Sequence, residues 1–184
     1  AEISLNNGYI EAKAKKLTGA NVKFEGVTVT GTENVMMAAS LAEGLTVLTN
    51  VAKEPEISDL ANFLNSMGAK ISGAGSDEIR IEGVEELTGT TFKIPADRIE
   101  AGTYLIAAAI TNGKIIIKKI DPTRMGSIIE TLQKAGAELR LNEDSISLDM
   151  TKNAIKPVDI VTAPFPGFPT DMQAQFTVLN CIGH

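Results

Sequence analysis

The chain has 184 residues, of which 43% are hydrophobic and only 4% are aromatic, and no apolar stretch is long enough to cross a bilayer. With 17 basic and 23 acidic residues the net charge is −6, which argues against a broad nucleic-acid interface and requires local groups to bind any anionic substrate. The single cysteine excludes an internal disulfide, and no secretory or transit signal precedes the first predicted strand, so we expect a cytoplasmic protein without membrane partners.

The first predicted element is a β-hairpin over residues 1–14, and after it a pattern with a period of roughly 70 residues occurs twice. The first copy predicts a helix with an uncharged interior, called here the uncharged helix, then a strand, an amphipathic helix that starts at a proline, and a hairpin. In order, these are Glu33–Glu43, Leu45–Leu48, the helix from Pro55, and Lys70–Ser72 with Glu78–Ile81.

The second copy predicts the same elements in the same order. They are Ala101–Thr111, Ile115–Ile117, the helix from Pro122 with Asp121 as its cap, and Glu138–Leu141 with Ser145–Leu148. Apolar residues recur three, four and seven positions apart in both amphipathic helices, and each helix ends at a glycine, Gly68 or Gly136. The predicted fold class is therefore α/β (α+β), built from β-α-β-α-β-β units, in which the uncharged helix is enclosed and the amphipathic helix lies at the surface.

A proline-rich segment, Pro164–Pro169, leads directly to Asp171 at the start of a last predicted helix. Prolines restrict the backbone and so can present the next side chain in one orientation, which suits a catalytic carboxylate. Either Thr170 or Asp171 would also serve as an ordinary N-cap of that helix. The residues alone leave both interpretations open.

The run Phe168–Gln175 closely resembles a segment of the UDP-N-acetylglucosamine enolpyruvyl transferase family (UDP-N-acetylglucosamine 1-carboxyvinyltransferases). Four other segments resemble family segments in the same order, namely Lys53–Ile57, Asp59–Leu64, Gly68–Gly73 and Asp97–Thr103. The resemblance implies the inside-out barrel fold of these enzymes, in which such units are divided between two lobes. It places the end of one lobe at residues 1–95 and the start of the other at 96–184, so we expect a piece that pairs with the remaining segments of its own polypeptide.

The resemblance also implies a reaction, in which the enolpyruvyl group of phosphoenolpyruvate moves to the 3′-hydroxyl of UDP-N-acetylglucosamine and phosphate is released. This is the first committed step of peptidoglycan synthesis, and it proceeds by addition and elimination through a tetrahedral ketal. In the family the aspartate of the Pro-Thr-Asp-Met-Gln motif faces the sugar hydroxyl, which implies that Asp171 is the base or orienting group and that Thr170 lies beside it. No cofactor or metal is expected.

The other implied site residues are contacts to substrate. The turn Val27-Thr28-Val29-Thr30-Gly31 resembles the family's diphosphate-binding turn, and a helix start behind it would favour a phosphate, although a simple Thr-capped turn explains the same residues. Gly26 stands where family members often have a lysine. The remaining implied substrate contacts are Arg98 at the lobe junction and Glu54 and Glu56 at a helix start. The alternative role for Arg98 is an ion pair between the lobes.

Two functional alternatives remain open at this stage. One is a shikimate 3-phosphate enolpyruvyl transferase, and the other is a noncatalytic paralogue that retains the repeated units. Because Cys181 lies in an apolar helical pattern, it is expected to be a small core residue. The resemblance implies that it is not the family's reactive cysteine, the target of fosfomycin, which precedes everything present here. The family's phosphate-binding lysine and arginines also lie largely outside these 184 residues, so we expect the chain alone to be inactive.

Overall fold

The described part of the chain forms two compact units that divide after Lys93. The computed structural model describes residues 2–183. The first unit contains β1 (Glu2–Asn6), β2 (Tyr9–Lys13), β3 (Asn21–Lys23), α1 (Val29–Ala39), β4 (Leu45–Thr49), α2 (Pro55–Ser66), β5 (Lys70–Ser72) and β6 (Glu78–Glu82). The second contains α3 (Arg98–Ile110), β7 (Lys114–Lys118), a 3₁₀ turn (Pro122–Met125), α4 (Gly126–Lys134), β8 (Glu138–Asn142), β9 (Ser145–Asp149), a 3₁₀ turn (Thr170–Met172) and α5 (Gln173–Ile182).

The predicted N-terminal hairpin is confirmed as the antiparallel pair β1–β2, apart from Ala1, which lies outside the described residues. Its turn is Asn7-Gly8, with φ values of 51° and 85°, and an Asn-Gly pair with positive φ is the usual two-residue connection that matches strand twist. Ile3 lies opposite Ala12 and Leu5 opposite Ile10, so these four apolar side chains share one face. Every residue of the two strands is exposed.

The first unit packs α1 and α2 against a four-stranded sheet of order β3-β4-β6-β5. β3 runs parallel to β4, and the other pairs are antiparallel. Alternate residues of the central strands point into the core, where the side chains of Leu48, Ile79 and Ile81 are fully buried with Met36 and Ile57 from the helices. The α/β class and the predicted order of these elements are confirmed.

The second unit repeats this arrangement with an antiparallel sheet of order β7-β9-β8 and the helices α3 and α4. Its core contains Leu105, Ile128, Leu132, Ile146 and Leu148. The repeat predicted a strand before each uncharged helix, but residues 83–97 form neither helix nor strand. The second copy is therefore αβαββ, and that part of the prediction is wrong.

Helix ends are predicted better than helix starts. Gly68 and Gly136 follow α2 and α4 with φ values of 104° and 99°, the left-handed conformation expected of a glycine there. By contrast, α1 begins at Val29 instead of Glu33, because Thr28 caps it, and α3 begins at Arg98, capped by Asp97 and three residues before the uncharged run Ala101–Thr111. The polar caps lie outside the uncharged runs from which the helices were predicted.

The uncharged helices are not enclosed on all sides in the described part of the chain. α1 buries Met36 and Ala39 but leaves Met37 44% exposed, and α3 leaves Tyr104 54% exposed. The expectation of full enclosure is therefore wrong for this chain taken alone, since each helix has one buried face and one apolar exposed face. No helix among residues 2–183 is long and apolar enough to span a membrane.

Candidate functional site

Asp171 is an exposed residue of the 3₁₀ turn Thr170–Met172, directly before α5. The residue in the capping position is Pro169, with φ −72° and ψ 136°, and neither the turn nor α5 has a side-chain capping hydrogen bond. A capping side chain must come from the residue that precedes the first turn, whereas Thr170 and Asp171 lie within it. The capping alternative is thus wrong, and the exposed carboxylate of Asp171 is not used to hold the helix start.

The proline-rich segment before Asp171 folds against its own unit. The N–H of Gly167 donates to the carbonyl oxygen of Pro164 at 2.8 Å, and the Ser127 hydroxyl donates to the carbonyl oxygen of Gly167 at 3.2 Å. The rings of Phe168 and Phe176 meet edge to face with centroids 5.1 Å apart, and both residues are buried. The backbone on the N-terminal side of Asp171 is consequently held by α4 and α5.

Arg98 is the first residue of α3 and is 6% exposed. Its guanidinium carbon lies 5.9 Å from the ring centroid of Phe165, a cation–π distance that links α3 to the proline-rich segment. The neighbouring Asp97 carboxylate accepts the N–H groups of Ile99 and Glu100 at 2.7 and 3.1 Å and so caps the helix. Arg98 and Asp171 therefore belong to one unit and to elements that contact each other.

The predicted diphosphate turn is the capped start of α1. The Thr28 hydroxyl accepts the N–H of Gly31 at 3.2 Å, and the Thr28 carbonyl accepts that of Thr32 at 3.1 Å. Val29, Thr30 and Gly31 form the first helical turn, whose leading amides have no acceptor within the helix and add to its positive dipole end. Because the Thr28 hydroxyl acts as an acceptor towards Gly31, its own hydrogen can still be donated to an anion.

Glu54 and Glu56 flank Pro55 at the start of α2. Burial raises the pKa of the Glu33 carboxyl in α1, and the nearby negative charges of Glu56 and Glu54 raise it further. The starts of α1 and α2 in the first unit therefore bring three carboxylates together. Glu33 was missed as a member of this group, although a lone acid beside an uncharged run is a signal that sequence can provide.

The structure thus divides the predicted site residues between the two units. Those of the first unit lie at the starts of α1 and α2, and those of the second lie at the start of α3 and in the turn before α5. Two surface depressions of the first unit, of about 450 and 880 Å³, are lined by none of them.

Sequence analysis assigned no role to Gly102, Thr103 and Gln175, although all three lie within the segments that resemble the family. In the structure they connect α3 to the Asp171 turn and to α5. Cys181, in contrast, is exposed, so its predicted place in the core is wrong. On α5 the buried positions are Phe176 and Leu179, and Cys181 lies off that face.

The sequence of the chain is similar to known enolpyruvyl transferases over almost its whole length. A profile of the EPSP synthase (3-phosphoshikimate 1-carboxyvinyltransferase) family matches residues 1–182. UDP-N-acetylglucosamine 1-carboxyvinyltransferase of Aeromonas hydrophila is 55% identical over 99% of the chain, and that of Hydrogenovibrio crunogenus is 54% identical over 99%. The chain spans 44% of the length of each of these relatives.

Solved structures of enolpyruvyl transferases share the fold. The enolpyruvyl transferase NikO from Streptomyces tendae superposes with a TM-score of 0.86 at 20% identity, over 100% of this chain and 46% of that one. An EPSP synthase from Acinetobacter baumannii has a TM-score of 0.60 at 20% identity, over 98% of this chain and 41% of that one. At such identities the likeness concerns the fold alone.

Proposed function

Because the chain belongs to the EPSP synthase (3-phosphoshikimate 1-carboxyvinyltransferase) family, we propose that the polypeptide containing it transfers the enolpyruvyl group of phosphoenolpyruvate to the 3′-hydroxyl of UDP-N-acetylglucosamine, with release of phosphate. The observation that carries this choice of acceptor is the 52–55% identity to UDP-N-acetylglucosamine 1-carboxyvinyltransferases. Its place would be the first committed step of peptidoglycan synthesis in the cytoplasm. The remaining segments of the same polypeptide supply the other units.

In this reaction Asp171 is the base. Its exposed carboxylate accepts the proton of the sugar 3′-hydroxyl as that oxygen bonds to C2 of the enolpyruvyl group, while C3 gains a proton from a donor outside this chain. Loss of a proton from C3 then expels phosphate and restores the double bond. A carboxylate that is presented by a fixed turn and is not used in capping supports this role.

The other site residues bind substrate. The N–H groups of Val29 and Thr30 and the Thr28 hydroxyl, which the N–H of Gly31 holds in place, contact the diphosphate, with Gly26 offering no side-chain charge. Thr170 borders the sugar, while Arg98 at the start of α3 and Glu54 and Glu56 at the start of α2 are the remaining substrate contacts. No cofactor enters the proposed chemistry.

The deciding experiment uses the full-length polypeptide and measures phosphate release from phosphoenolpyruvate, with UDP-N-acetylglucosamine or shikimate 3-phosphate as acceptor. We expect release only with the amino sugar, and a loss of about 10²–10⁴-fold in kcat for Asp171→Ala. Asp159→Ala, the same change at an exposed residue of the same unit, is the control.

Release with shikimate 3-phosphate instead would favour the activity for which the family profile is named. Wild type that releases no phosphate with either acceptor would favour a noncatalytic paralogue. Unchanged turnover in Asp171→Ala would remove Asp171 from the chemistry while leaving the reaction in place.

A further inference from the structure

Gln175 lies one helical turn after Asp171, a spacing that places both residues on the same side of the chain. Its side-chain Nε2 donates to the hydroxyl oxygen of Thr103 at 2.9 Å. That hydroxyl in turn donates to the carbonyl oxygen of Ile99 at 2.8 Å. Since the single hydroxyl hydrogen of Thr103 is used towards Ile99, its oxygen can only accept from Gln175, and this determines which way the amide faces.

The carbonyl oxygen of the Gln175 side chain lowers the stability of the fold. The Oε1 of Gln175 is buried and has no hydrogen-bond donor among the described residues. A buried acceptor without a partner destabilises a folded protein, so an apolar side chain of the same size would serve stability better here. The glutamine therefore calls for an explanation other than stability.

The same helix, α3, holds the Asp171 turn at two further points. Gly102 lies so close to Met172 that a Cβ at residue 102 would be 2.9 Å from the Met172 Cε, and the Met172 side chain is fully buried. Arg98 holds the approaching segment through Phe165. Three contacts from one face of α3 thus restrain the segments before and after Asp171.

We propose that the Thr103–Gln175 hydrogen bond is a positioning pair, which fixes the turn before α5 so that the Asp171 carboxylate meets the acceptor hydroxyl in its reactive orientation. The inference rests on the proposed function. Neither residue touches substrate in this account, because both act through the backbone of the turn. A displacement of about 1 Å at a reacting group is enough to lower turnover strongly.

The test uses the full-length polypeptide, with Gln175→Met and Thr103→Val removing each partner and Thr103→Ser retaining the hydroxyl. Gln133→Met, the same chemical change at an exposed position of α4, is the matched control. We expect kcat for phosphate release to fall about 10-fold in Gln175→Met and Thr103→Val, with KM for UDP-N-acetylglucosamine changed by less than about 3-fold. Thr103→Ser and the control should keep wild-type turnover, and the thermal midpoint of Gln175→Met should not fall.

The decisive readout is the dependence on Asp171. In an Asp171→Asn background, Gln175→Met should cause no further loss, because the carboxylate that it positions is already gone. Equal losses in both backgrounds, or a loss that follows the thermal midpoint, would overturn the positioning role.

A second readout does not depend on turnover. Hydrogen–deuterium exchange over residues 168–176 should quicken in Gln175→Met and Thr103→Val but not in Thr103→Ser or Gln133→Met. Unchanged exchange would overturn the proposal even if the enzyme used another acceptor. Wild type without phosphate release would instead count against the proposed function, so the two failures are distinguishable.

Discussion

Individual glycines determine how closely the backbone segments of each unit can approach. A Cβ at Gly83 would overlap the carbonyl oxygen of Ala42, a backbone atom that cannot move aside as the end of a flexible side chain can. At Gly102 the added atom would meet only the flexible end of the Met172 side chain, with Cε 2.9 Å away. The two glycines therefore differ in whether an added Cβ meets backbone or a flexible side chain.

We therefore expect Gly83→Ala to lower the free energy of unfolding by more than about 3 kcal/mol and Gly102→Ala by about 1–2 kcal/mol. Denaturant unfolding of the full-length polypeptide provides the measurement. Gly89→Ala is the control, because a Cβ there would meet nothing within 4 Å. Equal free energies of unfolding for Gly83→Ala and Gly89→Ala would contradict the close approach of residue 83 to Ala42.

Glu33 makes stability depend on pH. Burial, followed by the charges of Glu56 and Glu54, raises its pKa above the ordinary value of 4.5, so the folded state disfavours the ionised carboxylate. The contribution of Glu33 to stability is complete below that ordinary value and is lost as pH rises through the raised pKa.

We expect Glu33→Gln to match the wild-type thermal midpoint near pH 3 and to exceed it at pH 7. Glu86→Gln, at an exposed site, should show no such divergence; a constant offset for Glu33→Gln at both pH values would contradict the argument.

Much of the candidate site was predictable one residue at a time, but its connections were not. The position of Asp171 after a proline-rich approach was apparent from sequence, whereas Thr28 as the cap of α1 was not, because the predicted helix began at Glu33. The bond between Thr103 and Gln175 joins residues 72 positions apart, so no local pattern could indicate it. The apolar periodicity of α5 could not predict that Cys181 is exposed, because it does not tell which face of the helix meets the core.

The amphipathic helices α2 and α4 are the elements that the sequence predicts best. Their apolar spacing and terminal glycines are local properties, and both helices pack on sheets as expected. The uncharged helices α1 and α3 were harder to delimit, because their caps lie before the apolar run. The irregular segment before α3 could not be separated from a strand on the basis of its composition.

The repeat leads to a paired prediction for these elements. Leu64 of α2 and Leu132 of α4 occupy matching positions and are 6% and 0% exposed. Truncation to alanine leaves a cavity in each core, so each substitution should lower the stability of its own unit by about 2–5 kcal/mol.

Hydrogen exchange resolved by segment is the suitable readout for this pair. Leu64→Ala should speed exchange in β5 and β6, and Leu132→Ala in β8 and β9, while Glu130→Ala on the exposed side of α4 should affect neither sheet. Equal effects of either leucine substitution on both sheets would mean that the two cores do not unfold separately.

At the scale of the whole chain, each unit has its own hydrophobic core but also an uncovered apolar face. The β1–β2 hairpin exposes Ile3 and Leu5 at 71% and 76%, and α5 exposes Val178. Apolar patches of this kind mark surfaces that meet other parts of a protein. They are consistent with the proposal that further segments of the same polypeptide pack on this chain, because the matching hairpins β5–β6 and β8–β9 bury most of their apolar residues in the cores that include α2 and α4.

The connection between the units permits a test of the predicted lobe boundary near Lys93–Ala96. The rings of Phe92 and Phe63 meet at a tilt of 48° with centroids 5.1 Å apart, and directly after Phe92, Lys93 is exposed and Ile94 is 84% exposed, in a stretch without regular structure. Protease acts on backbone that is exposed and can adapt to its active site. Trypsin should therefore cut this chain readily after Lys93.

Lys152 provides the internal comparison, since it is also exposed and also lies outside any strand or helix. It differs because the segment that follows is held by buried Ile155 and by two hydrogen bonds of 2.9 Å between Val158 and Asn180. Mass spectrometry of a short digest of the full-length polypeptide should thus show cleavage after Lys93 before cleavage after Lys152, and Lys93→Gln should remove the earlier of these two cuts. Earlier cleavage after Lys152 would place the weakest connection inside the second unit and move the lobe boundary away from the residues at which the sequence predicts it.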